Sequence, residues 1–208
     1  MAERETAAAN REHFETAYAG DAPPWDIGKP QAVFVAVADR ISGSLLDAGC
    51  GTGENALFFA GRGCAVTGVD FLEPPIVAAR RKAAERGLVA TFLVQDALRL
   101  REWGQRFDNA IDSGLFHVFS DEARAQYVEG LKTVLKPGGR LFLACFSDQT
   151  PGTTGPRRVT MKELREAFGD GWAIESIEAE QFEVRPEARQ LFEGGAPQAW
   201  FMVARRVA

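Results

Sequence analysis

The chain has 208 residues, 46% of them hydrophobic, and a formal net charge of −5, which fits one ordinary domain with a full core. Acids and bases are interspersed, so no basic stripe is available for nucleic acid, and no apolar run approaches the ~20 residues of a membrane-spanning helix. No nucleic acid and no membrane partner is therefore expected, and no feature specifies an oligomeric state. The opening Met-Ala-Glu-Arg-Glu-Thr lacks the basic and apolar regions of a secretory signal, so a cytoplasmic location is expected. Cys50, Cys64 and Cys145 form neither a disulfide framework nor a metal-ligand spacing, and the two histidines stand apart. Reduced, buried thiols and no metal are expected.

In chain order, residues 5–19 read as a helix whose partial apolar face is His13, Phe14, Ala17 and Tyr18, closed by Gly20. The stretch from Asp21 to Gln31, Asp-Ala-Pro-Pro-Trp-Asp-Ile-Gly-Lys-Pro-Gln, is stiff and irregular, because proline fixes its own φ and biases the preceding residue away from helix. Such a segment can hold Trp25 in one place, either over a pocket or as a staple for the first helix. Pro30 opens a short helix at a first-turn position, with Val33, Val35 and Val37 giving an apolar run.

Residues 45–55, Leu-Leu-Asp-Ala-Gly-Cys-Gly-Thr-Gly-Glu-Asn, read as strand, tight turn and helix start. Gly49, Gly51 and Gly53 allow positive φ and let a ligand lie against the main chain. A phosphate-binding loop would follow its glycines with Lys and Ser or Thr, whereas this turn offers Glu54 and Asn55, with Asp47 just before it. Negative groups there suit a positively charged cofactor. A second apolar run, 65–70, ends in Asp70, about twenty residues beyond the glycines, where a βαβ unit places an acid on ribose hydroxyls. The turn and this acid alone fit either a nicotinamide dinucleotide or an adenosyl cofactor.

Glu73-Pro-Pro starts the next helix, which Gly87 closes, and Thr91–Gln95 is a buried strand with Asp96 and Ala97 at its carboxyl end. The fourth strand, Phe107–Asp112, runs into Ser113-Gly-Leu-Phe-His-Val-Phe119. Ligands of open parallel sheets bind beyond the carboxyl ends of strands where the strand order reverses, so Asp112, Ser113, Phe116 and His117 are substrate-side candidates. Ser120 caps the following helix, Lys136-Pro-Gly-Gly precedes a fifth strand at Arg140–Phe146, and 147–158 is a Gly, Pro and Thr-rich linker. Thr160 and Glu163 make a capping box, and Trp172–Val184 with Ala199–Val207 form a closing antiparallel pair.

Asp-Ala-Gly-Cys-Gly-Thr-Gly, then Gly-Val-Asp-Phe, then Gln95-Asp96-Ala97 together resemble the class I methyltransferases that use S-adenosylmethionine. A dinucleotide fingerprint would place glycine where Glu54 stands. The resemblance implies an α/β, Rossmann-like doubly wound sheet of seven strands, mostly parallel with an antiparallel C-terminal strand. It also implies one methyltransferase domain over 1–208, with N-terminal helices and a lid in 1–43 and a cofactor-binding core in 44–208. S-adenosylmethionine would then meet Asp47, Gly49, Gly51, Gly53, Asp70, Phe71, Asp96, Ala97, Asp112 and Trp25.

Pro-Trp-Asp-Ile-Gly-Lys-Pro-Gln is similar to the N-terminal signature of the thiopurine, thiol and halide methyltransferase group, though Ala32 replaces a proline often found there. By that likeness Trp25, Tyr18 and Gln31 would line the pocket. The run 112–119 looks closer to bacterial quinone and small-aromatic methyltransferases. The implied reaction is in-line methyl transfer to a small, mostly apolar acceptor, a phenolic or heterocyclic hydroxyl or a thiol, bound by Tyr18, Trp25, Ser113, Phe116 and His117. His117 would take a proton from the acceptor as catalytic base or hydrogen-bond it, or else only pack. The competing readings are a dinucleotide-dependent oxidoreductase and a non-catalytic domain that binds the adenosyl cofactor.

Overall fold

The computed structural model describes residues 2–20 and 22–207, with side chains from residue 11 onward; Asp21, which opens the proline-rich stretch, lies outside them. The sheet has seven strands: β1 Ser44–Ala48, β2 Ala65–Asp70, β3 Thr91–Val94, β4 Phe107–Ser113, β5 Leu135–Phe146, β6 Trp172–Gln181 and β7 Gln198–Arg206. Their order is β3-β2-β1-β4-β5-β7-β6. β1 to β5 are mutually parallel, and β7 runs antiparallel between β5 and β6. Strand order reverses between β1 and β4, so the carboxyl ends of these two strands open the crevice that such sheets use for ligands.

Both faces of the central strands are buried, and their side-chain alternation divides the core in two. Leu45, Phe142, Ala144, Phe201 and Val203 face one layer, built with α2 (Ala32–Ala36), α3 (Glu54–Gly61) and α4 (Glu73–Glu85). Leu46, Leu141, Leu143, Trp200 and Met202 face the other, built with α5 (Asp121–Val134) and α6 (Met161–Ala167). α1 (Ala2–Ala19) lies over the crevice end, where Phe14 packs edge-on against Trp25 and Phe71.

The local signals behave as expected at most element ends. Ser120 accepts from the Ala123 amide at the start of α5, and Thr160 and Glu163 form a reciprocal capping box at α6. Pro30 differs: the N-cap of α2 is Gln31, so the proline stands just outside the helix. Lys136-Pro-Gly-Gly is absorbed into β5 as an irregularity, the register to β4 jumping between Leu135 and Arg140. No helix among the described residues is long and apolar enough to cross a membrane, and no cluster of three or more His, Cys, Asp or Glu there could hold a metal.

Candidate active site

β1 ends in the glycine turn, where Gly49, Gly51 and Gly53 have φ of +71°, +52° and +86°. A Cβ at Gly51 would stand 2.9 Å from the Tyr18 hydroxyl, and one at Gly53 would stand 2.9 Å from the Ala79 Cβ and 3.0 Å from the Phe92 ring. Conformation and crowding therefore both demand glycine at these two positions. The Cys50 amide donates to the Val69 carbonyl at 2.8 Å, which ties the turn to β2. Asp70, at the end of β2, accepts the Gly51 amide at 3.1 Å and the Leu72 amide at 3.0 Å. Burial raises its pKa, and the amides that hold it act in the opposite direction.

Asp47 is fully buried under this turn, and neither carboxylate oxygen has a hydrogen-bond partner. Desolvation drives the Asp47 pKa up to about 8, with the Ala56 amide opposing and the charges of Asp112 and Asp70 adding to the rise. An orphaned acid beneath a cradle of glycines is an incomplete site, since buried carboxylates are ordinarily paired.

The expected acidity of the turn's far side needs correction. Glu54 is clasped by Lys82 at 2.8 Å and by both terminal nitrogens of Arg86 at 2.9 Å. Burial opposes its ionisation, but the Arg86 and Lys82 hydrogen bonds prevail and its pKa is lowered. Its charge is spent on α4. Asn55 accepts the Gln31 amide at 3.0 Å, and Thr52 donates to Asp26 at 2.9 Å, so the turn is laced to the proline-rich segment.

Trp25 and Tyr18 sit together over the turn. The indole N–H of Trp25 donates to the Tyr18 hydroxyl at 3.1 Å, and the same ring packs against His13 and Phe14. Trp25 thus staples α1 and at the same time seats the tyrosine above Gly51. Phe71, beside Phe14, also lies under the Arg11 guanidinium at 5.3 Å. Gln31 is buried, and its side-chain amide is consumed by the Glu183 backbone, donating to the carbonyl at 2.8 Å and accepting the amide at 2.9 Å.

At the end of β3, Asp96 is exposed and caps the short 3-10 turn 97–102, accepting the Leu98 amide at 2.9 Å, while Ala97 is buried. Past β4, the structure overturns two substrate-side assignments. Asp112 is fully buried and saturated: it accepts the Leu115 amide at 2.8 Å, the Phe116 amide at 3.1 Å and the Tyr127 hydroxyl at 2.9 Å. No oxygen is left to meet a ligand. Desolvation lifts its pKa to about 7 against those hydrogen bonds. Phe116 points away into the α5–α6 layer, fully buried between Phe168 and the Arg124 guanidinium, 4.7 Å from its ring. Arg124 also donates to the Phe116 carbonyl at 3.2 Å. Asp112, Tyr127 and Arg124 therefore fasten the back of loop 114–119, and Ser113 stays half-buried at its start.

His117, on the front of that loop, is buried in an aromatic box that no local motif announced. Its ring centroid lies 5.0 Å from Phe146 and 6.1 Å from Phe182, and Phe146 contacts Phe182 at 5.5 Å and Phe192 at 5.8 Å. Gly114 leaves room here, since a Cβ would stand 3.1 Å from Phe182 and 3.3 Å from the His117 ring. Nδ1 of His117 accepts the Phe146 amide at 2.9 Å. Burial, followed by the positive charges of Arg124 and Arg158, pushes the imidazole down to about 3. Nδ1 is already occupied by the Phe146 N–H, and the imidazole lies well below the near-neutral value of a general base, so both count against the base assignment. Leu115 lies against Gly49, its atoms 3.1 Å from where a Cβ would be, so one loop joins the glycine turn to the box.

A parallel sheet with a glycine-turn cradle and an acid at the end of β2 defines a protein that binds a nucleoside-bearing cofactor. Residues 45–139 match the methyltransferase domain family. The chain is 35% identical over 176 residues to 2-heptyl-1-hydroxyquinolin-4(1H)-one methyltransferase of Mycobacteroides abscessus, a match spanning 79% of this chain and 78% of that one. A structure titled "Conversion of a Disulfide Bond into a Thioacetal Group during Echinomycin Biosynthesis" superposes with a TM-score of 0.83 at 38% identity, over 94% of this chain and 92% of that one. The Burkholderia thailandensis 1,6-didemethyltoxoflavin-N1-methyltransferase, solved with 1,6-didemethyltoxoflavin and S-adenosylhomocysteine, superposes at 0.76 with 25% identity over 100% and 92% of the two chains. The chain belongs to the S-adenosylmethionine-dependent methyltransferases. It is an enzyme of the small-molecule group of that family, and S-adenosylmethionine is its cofactor.

Proposed function

We propose that this enzyme methylates a small aromatic acceptor through a heterocyclic or phenolic hydroxyl or a thiol. The observation that carries the reading is the box of Phe146, Phe182 and Phe192 around His117, joined by residues 114–117 to the glycine turn. A planar ring stacked among these side chains would gain aromatic contacts beyond simple burial. Two relatives named for a hydroxyquinolinone and a didemethyltoxoflavin support a flat heterocycle.

The turn residues fit the cofactor. The glycines put no side chain between a ligand and the main chain of the turn, and Asp47 lacks the partner that a ligand bringing a positive group or ordered water would supply. We assign Gly49, Gly51 and Gly53 to the amino-acid portion, Asp70 to the ribose hydroxyls, and Phe71, Asp96 and Ala97 to the adenine. Asp96 retains one carboxylate oxygen for that role beside its capping bond. Trp25 and Tyr18 close the crevice from residues 1–43 over the core 44–208, and Ser113 borders the acceptor. Asp112 and Phe116 hold the loop in place. When bound, the cofactor supplies a methyl group on a sulfonium, a good leaving group, so the protein need only place the acceptor and keep water away.

Phe182→Leu tests the acceptor side. With thiophenol or a hydroxyquinoline as acceptor, KM should rise about tenfold while S-adenosylhomocysteine affinity stays within about twofold. Unchanged KM for every aromatic acceptor would remove the box from the acceptor site.

A further inference from the structure

The proposed acceptor class leaves open how the accepting atom loses its proton, and the surroundings of His117 bear on this. The Phe146 N–H points at Nδ1 from 2.9 Å, so Nδ1 carries a lone pair and the neutral ring carries its proton on Nε2. To act as a base the ring would have to take a proton on Nδ1, expelling the Phe146 N–H from its bond and leaving a buried amide unpaired. Among the described residues, the elements packed around the ring offer no carboxylate to stabilise an imidazolium. α5 contributes Arg124, and the strap before α6 contributes Arg158, whose guanidinium lies 5.7 Å from the Phe146 ring. β5 contributes Phe146. The segment after β6 contributes Phe182, while the neighbouring Glu183 is turned outward to Lys29 at 2.6 Å and the Ala32 amide at 2.9 Å. Two cations and one fixed N–H surround the box.

Resting on the acceptor reading above, we infer that His117 is a locked hydrogen-bond donor that selects acceptors arriving already ionised, as thiolates or acidic heterocyclic or phenolic oxyanions. The acceptor's proton leaves to solvent before binding. Its lone pair then forms the bond to the methyl carbon as the carbon–sulfur bond of the sulfonium breaks and that pair returns to sulfur. An anion and a cation become two neutral products, and no proton passes to the protein.

Two measurements on the full chain decide the matter. The chain has only two histidines, so ¹⁵N-histidine labelling with His13→Gln gives an unambiguous His117 spectrum. We expect Nε2 protonated and Nδ1 unprotonated at every pH from about 5 to 9; titration near neutrality would overturn the inference. Second, the pH dependence of kcat/KM would be compared for 4-nitrothiophenol, thiophenol and phenylmethanethiol, in order of falling acidity. The rise should move with each acceptor's own ionisation and survive in His117→Gln, whose amide can accept from Phe146 and still donate. His117→Gln should lose about threefold and His117→Leu about thirtyfold in kcat/KM, the size of one hydrogen bond to a charged group. One inflection common to all three acceptors and abolished in His117→Gln would restore the base role. If none of the thiols turned over while S-adenosylhomocysteine still bound, the acceptor reading would fail, and the histidine spectrum would still decide the state of His117.

Discussion

The glycine turn and the aromatic box flank the same loop, yet they are built in opposite ways. The turn is formed by consecutive residues 47–55, its course set by glycines at φ of +71°, +52° and +86°. The box takes His117 from one loop, Phe146 from the end of β5, and Phe182 and Phe192 from the connection between β6 and β7. A site made of backbone tolerates almost no side-chain change. A site made of packed rings can be resized one ring at a time, which suits the part of an enzyme that meets a variable acceptor.

The turn should break first and hardest. Gly53→Val forces a β-branched residue to φ of +86° and drives a Cβ into Ala79 and Phe92. A loss of about 3 kcal/mol or more is expected in urea unfolding, together with loss of S-adenosylhomocysteine binding. Retention of wild-type stability would show the turn to be softer than described.

Asp47→Asn sharpens the contrast by separating fold from function. The native-state pKa of Asp47 is raised to about 8, so the folded chain holds a proton that the unfolded chain releases near pH 4. Stability from this group is full below pH 4 and is lost as pH rises through 8. The asparagine variant should therefore be more stable than wild type at pH 8.5, by up to about 5 kcal/mol for a pKa raised from about 4 to about 8, less the cost of leaving the new amide unpaired, with the gap closing as pH falls toward 4. Cofactor affinity should fall at the same time. A gap independent of pH would refute the buried charge.

Tyr127→Phe gives the smallest effect. It removes the hydroxyl that donates to Asp112 at 2.9 Å behind the box, costing about 1–2 kcal/mol and raising the Asp112 pKa further. Because the Leu115 and Phe116 amides still hold the loop, acceptor KM should change less than about threefold. A larger shift in KM than in stability would make the loop's rear a specificity element.

What the sequence disclosed follows the same division. Gly49, Gly51, Gly53 and Asp70 carry local conformational or spacing signatures, and strands buried on both faces show as short apolar runs, so the turn and the strands were readable, whereas the sheet's architecture and the cofactor followed from the family resemblance. Asp112 and Phe116 were misplaced because a strand end fixes where a residue lies along the sheet but not which layer its side chain enters. Adjacent residues diverge: Phe116 enters the α5–α6 layer and His117 the box. Glu54 was misread because its partners, Lys82 and Arg86, lie a helix away. Phe182 and Phe192 reach the site through long-range contacts that no nearby motif encodes. Phe146 alone had a signal, standing at the carboxyl end of a strand.

The most direct test is calorimetric titration of the purified protein with S-adenosylhomocysteine and, separately, with NAD, repeated on Asp70→Ala and His117→Gln. If the glycine turn holds the cofactor and the box holds only the acceptor, wild type should bind the homocysteine product in the micromolar range. Asp70→Ala should weaken it by about thirtyfold or more, as expected for losing a carboxylate that hydrogen-bonds ribose. His117→Gln should match wild type, and NAD should not bind. Undiminished affinity in Asp70→Ala, or binding of NAD in place of the homocysteine product, would contradict this division of the site.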